Sequence, residues 1–123
     1  MNATSLAQQA YAPTAAPTRS ARSIEYDVVA RITYRLKQAI EGKKLPALLE
    51  ALEENRKLWR VLAVDVADQD NELPKDLRAR LFYLYEFTDH HTLKVIREHA
   101  SAIPLLEVNT AILRGLKREG PVS

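Results

Sequence analysis

The stretch Leu45–Val66, LPALLEALEENRKLWRVLAVDV, sets Leu45, Leu48, Leu52, Asn55, Trp59, Leu62 and Val66 at alternating steps of three and four residues. That spacing brings all of them to one side of an α-helix. All are apolar except Asn55, and a helix with such a stripe must bury it against other helices. Pro46 suits the first helical turn, and the pattern fades near Asp68–Asn71, which predicts a helix over 45–69.

The same reading extends in both directions. Downstream, Leu73, Leu77, Leu81, Leu84, Thr88, His91 and Val95 form a second seam behind Pro74 and predict a helix over 74–99. Ser101 and Pro104 separate it from Leu105, Asn109, Ile112 and Leu116, which predict a helix over 104–118. Upstream, Val29, Ile32, Leu36 and Ile40 predict a helix over 22–41, with Ser20 or Ser23 as N-cap and Gly42 as its stop. No strand pattern is present. The expected fold is an all-α, short-looped antiparallel bundle of four helices in one domain over 20–119. Residues 1–19, rich in Ala, Thr and Pro, read as a disordered tail that can form a short helix over Ser5–Tyr11 on docking; residues 120–123 read as a second tail.

The short link at Asn71 forces the second and third helices to run antiparallel. Pairing outward from it sets Trp59 opposite Leu84 and Asn55 opposite Thr88, within reach of His91. Asn55, Thr88 and His91 are therefore expected to form a small buried polar cluster, since an unpaired buried amide costs about 1–3 kcal/mol. Asn109 is a second polar residue inside an apolar seam, which specifies a partner within the fold or outside it.

Composition narrows the function. The chain has no cysteine, hence no disulfide framework, Cys-based zinc site or thiol nucleophile. The net charge of +2 resides in residues 1–23, where Arg19 and Arg22 meet no acid; from Ile24 onward the formal charges cancel. With no basic stripe carrying interleaved aromatics, direct nucleic-acid binding is not expected. Neither a membrane span nor the basic and apolar regions of a secretory signal are legible. His90, His91 and His99, with Asp89 and Glu98, lack the i, i+4 pairing of a helical metal site. Asp65, Asp68, Asp70 and Glu72 lack the glycine and spacing of a calcium loop. No catalytic set, cofactor site or metal site is predicted.

The third helix is apolar on more than one side. Tyr83 and Phe87 flank its seam, and Phe82 lies on the far side with Leu93. Either the other three helices enclose it, which is the favoured reading, or part of its surface meets another protein. Trp59 and Leu113 are further candidates, as the floor of a groove that accepts a partner helix. The candidate partner-binding residues are thus Phe82, Tyr83, Phe87, Leu93, Trp59 and Leu113.

Five stretches in order carry a family resemblance: EYDVVARIT (Glu25–Thr33), ALEENRKLW (Ala51–Trp59), LPKDLRARL (Leu73–Leu81), His91, Thr92 and Val95, and LLEVNTAILRGL (Leu105–Leu116). QAYA (Gln9–Ala12) adds to them. The chain resembles the alphaproteobacterial flagellar regulator family FlaF over about residues 20 to 118, with Thr110 standing where Arg or Lys is expected. The resemblance implies a cytoplasmic, non-enzymatic protein that binds flagellin as a secretion chaperone and supports its synthesis and export; the sequence leaves the oligomeric state open, with a monomer the favoured expectation. It also implies a link to FlbT, the regulator of flagellin translation, and hence an alternative role as an adaptor acting through FlbT without touching flagellin.

Overall fold

The computed structural model describes the backbone of residues 21–119 and the side chains of residues 26–116. Both tails and the short helix expected over Ser5–Tyr11 lie outside the described residues. Four helices follow in order: α1 (Ala21–Gly42), α2 (Leu45–Ala67), α3 (Lys75–Glu98) and α4 (Ile103–Glu119). No strand occurs among the described residues. The boundaries fall within two residues of the predicted ones, and the fold is the expected all-α four-helix bundle.

The helix ends have local causes. Pro46 occupies the first turn of α2, where its missing N–H would have had no helical partner. The stop of α1 differs from expectation. Gly42 is still helical, and Lys43 takes the left-handed conformation at φ 55°. His99 does the same beyond α3 at φ 59°. Between α2 and α3, Asp68 Oδ1 accepts from the Asp70 N–H and Asn71 Oδ1 from the Leu73 N–H. These are Asx-turn bonds that reverse the chain in a few residues. Arg78 closes the corner: its guanidinium donates to the Val66 carbonyl at 2.9 Å and to the Asp68 carbonyl at 2.7 Å. It thereby satisfies acceptors that the end of α2 leaves open. The acidic stretch is thus a built corner rather than a merely solvated helix end.

Going round the bundle, α1 packs on α2, α2 on α3, and α4 on α1. The α3–α4 side is the sparsest of the four, and the backbones of α1 and α3 lie diagonally apart, joined only through side chains of the core. The expected enclosure of the third helix therefore does not occur: α3 leans on α2, and its contact with α4 is limited. The short connection between α3 and α4 is tied by His91, whose Nε2 donates to the Ser101 carbonyl at 2.7 Å.

The core is split in two. One cluster comprises Leu36, Ala39, Ala51, Leu52, Val95, Ala102 and Leu105, at the end where α3 turns into α4. The other comprises Val29, Ile32, Leu58, Trp59 and Leu62, with Leu84, Ile112 and Leu113 packed against it. Between them in sequence, on every helix, sits a buried polar residue: Thr33, Asn55, Thr88 and Asn109. Asn109 is the hub. Its Oδ1 accepts from Trp59 Nε1 at 2.9 Å, and its Nδ2 donates to Asn55 Oδ1 at 2.8 Å and to Thr33 Oγ1 at 3.2 Å. One amide thus ties α4 to both α1 and α2, including the diagonal that the backbones do not bridge.

This layer corrects the expected polar cluster. Asn55 turns to Asn109, not to Thr88 or His91, because the α2–α4 diagonal brings a second amide within reach. His91 is partly exposed and engaged by Ser101, while Thr92 takes the fully buried position and donates its hydroxyl to the Thr88 carbonyl at 2.6 Å. At about 100° per residue, the buried residues Leu81, Thr88, Thr92 and Val95 centre on a direction roughly 30° from Thr92 and roughly 70° from His91. The inward face of α3 thus lies to one side of the seam that nominated His91.

Candidate partner-binding surface

Because α3 is covered mainly on its α2 side, some of its aromatics stay at the surface. Tyr83 is 65% exposed and Phe82 38% exposed. Phe82 meets Tyr85 at 5.5 Å between ring centroids, tilted by 55°, a geometry aromatic pairs favour. The pair braces Phe82 from one side and leaves the other side open. Phe82 also helps line a cleft of about 540 Å³ between the end of α2 and the start of α3, with Val66, Ala67, Ala79, Lys75 and Arg78. Elsewhere on α2, Val61 and Val64 are exposed. The floor of the cleft is apolar and its rim carries two cations. Residue spacing alone does not reveal this cleft, because it is made by the corner that Arg78 closes.

The remaining candidates belong to the fold. Phe87 is half-buried, packed against the cluster around Leu36 and Leu52, and stacked on His91 at 5.4 Å and 13°. Leu113 is half-buried against the cluster that contains Trp59. Trp59 is 1% exposed, with its N–H taken by Asn109, so it floors no open groove. Leu93 is half-buried. The structure thus divides the six: Phe82 and Tyr83 remain as surface, Trp59, Phe87 and Leu113 as packing, and Leu93 between.

A larger cleft of about 890 Å³ lies between α1 and α2. Its walls are Ala39, Ala47 and Ala51, whose small side chains leave the space, and its rim is charged: Arg35, Glu50, Glu53, Glu54 and Lys57. Arg35 and Glu54 pair across it at 2.6 Å. Mixed charge and a bridging ion pair make it less suited than the α3 surface to an apolar partner. Among the described residues no cluster of His, Asp or Glu could hold a metal ion, and no helix is long and apolar enough to cross a membrane.

The family model described as flagellar protein FlaF matches residues 7–116. The chain belongs to the FlaF family. No curated protein and no solved structure matches it. Each of four stretches that carried the resemblance to FlaF contributes to the frame just described. Thr33 comes from EYDVVARIT, Asn55 and Trp59 from ALEENRKLW, Arg78 from LPKDLRARL and Asn109 from LLEVNTAILRGL. These signature residues of the FlaF-like sequence therefore build the polar layer and the α2–α3 corner. The exposed aromatics lie beside them.

Proposed function

We propose that this FlaF-family protein is a flagellin-binding chaperone, and that the flagellin segment docks on the outer side of α3 at Phe82 and Tyr83. The observation that carries the reading is that pair of exposed aromatics beside an apolar cleft, in a chain whose family is flagellar. Flagellin keeps terminal segments that order only in the filament, and an amphipathic segment of this kind needs apolar cover before export. Phe82 and the Val66–Ala79 cleft offer that cover, and Lys75 and Arg78 meet the acidic side of a docking helix. Folding on binding costs ordering entropy, so the contact extends beyond the two rings. The protein works in the cytoplasm, where flagellin is made and handed to export.

The test is calorimetric titration of monomeric flagellin into the wild type and into Phe82→Asp and Tyr83→Asp. The reading expects both variants to keep their helicity and melting temperature while binding falls at least tenfold. Leu49→Asp, beside the α1–α2 cleft, leaves binding unchanged. Phe87→Asp is no substitute in this test, since it breaks core packing. Unaltered flagellin binding in both α3 variants sinks the proposed surface. No flagellin binding by the wild type sinks the chaperone role and leaves the adaptor acting through FlbT, whose RNA-linked contacts would weaken steeply with salt.

A further inference from the structure

Each helix places one buried polar side chain in the layer between the two core clusters, but the hydrogen bonds join only three of them. Thr33, Asn109 and Asn55 are linked in sequence. The chain of bonds then stops at two atoms: Asn55 Nδ2 and Thr88 Oγ1 are both buried, and neither has a protein partner. The two residues stand at the same level of the α2–α3 seam. The next residues along, Arg56 and Asp89, are joined by two hydrogen bonds of 3.1 and 3.0 Å to one carboxylate oxygen, and Trp59 and Leu84 share a cluster one turn further on. With Asn55 Oδ1 held by Asn109 on the α4 side, the other arm of the same planar amide is turned away from α4.

We infer that Asn55 Nδ2 and Thr88 Oγ1 share one internal water molecule, which completes a polar layer across all four helices. A water accepts from the amide and exchanges a hydrogen bond with the hydroxyl, so both orphaned groups are satisfied at once. Buried waters occur where otherwise unsatisfied buried polar groups converge. Both side chains suit such a bridge, since an amide N–H₂ donates only, while a hydroxyl donates and accepts. The layer is then direct-bonded at α1, α2 and α4 and water-linked at α3, the helix that carries Phe82 and Tyr83.

The experiment uses the full-length ¹⁵N-labelled protein as wild type, Thr88→Val and Thr88→Ser, each first shown to keep its amide spectrum. Rotating-frame and laboratory-frame water–protein NOEs are recorded at the Asn55 side-chain amide hydrogens, and each protein is melted. The inference expects a long-lived water cross-peak in the wild type and Thr88→Ser, its loss in Thr88→Val, and a lower melting temperature for Thr88→Val. The valine leaves the amide without its bridge. An unchanged or raised melting temperature in Thr88→Val overturns the inference, because replacing an unbonded buried hydroxyl by a methyl group is neutral or stabilising. A lowered melting temperature with no water cross-peak in the wild type overturns it too, in favour of a direct Asn55–Thr88 bond.

Discussion

Asn109→Leu is the most exacting test of the polar layer. Asn109 is fully buried and makes three side-chain hydrogen bonds, to Trp59, Asn55 and Thr33. Leucine keeps the same branched pattern of four side-chain heavy atoms with bulkier methyl groups, so the change removes bonding without leaving a cavity and adds some crowding. Thr33 can turn its hydroxyl to the carbonyl one helical turn back. Trp59 Nε1 and Asn55 Oδ1 have no such recourse. Two buried groups left without partners cost about 1–3 kcal/mol each, and the added apolar burial returns roughly 1–2 kcal/mol. The central value of the net loss is about 2.5 kcal/mol, from a domain whose total is of order 5–15 kcal/mol. At about 4–8 °C per kcal/mol for a domain of this size, melting falls by roughly 10–20 °C. Urea unfolding followed by far-ultraviolet circular dichroism and by the fluorescence of Trp59, the single tryptophan, measures it. Asn55→Leu and the double variant complete a cycle, in which the pair costs clearly less than the sum because each single change orphans the other amide. An unchanged melting temperature, or strict additivity, refutes the network.

Two further substitutions probe the helix ends. Arg78→Ala removes two bonds, one to the Val66 carbonyl in the last turn of α2 and one to the Asp68 carbonyl just beyond it, and costs about 1–2 kcal/mol. Arg78→Lys recovers little of it, because a point ammonium cannot span both carbonyls as the planar fork does; chemical denaturation checks both. Lys43→Gly relieves a left-handed residue beyond α1 and raises stability by about 0.5–1 kcal/mol after the entropy lost to glycine. A melting temperature that does not rise contradicts the strain assigned to Lys43.

The sequence made the helices legible because each seam is long and nearly unbroken, and Pro46, Pro74 and Pro104 punctuate them. It also placed Trp59 opposite Leu84, since a short link leaves only antiparallel pairing. It could not show that Asn109 reaches Asn55 and Trp59, because periodicity names the face of a helix and not the helix that face meets across a diagonal. The choice of His91 over Thr92 failed because the packing of α3 on α2 sets its inward face to one side of the seam read from the sequence. Arg78 escaped notice because it bonds two carbonyls, and backbone acceptors leave no mark on a sequence. The exposure of Phe82 and Tyr83 against the burial of Phe87 depended on α3 leaning on α2 and hardly meeting α4, which no spacing of residues encodes.

Whether this FlaF-family bundle holds flagellin itself can be decided in one experiment. Purified protein is mixed with monomeric flagellin from the same cell and run on size exclusion with light scattering. A single peak with the mass of a 1:1 complex, lost on Tyr83→Asp, is the expected result. Two separate peaks at tens of micromolar of each protein would contradict it.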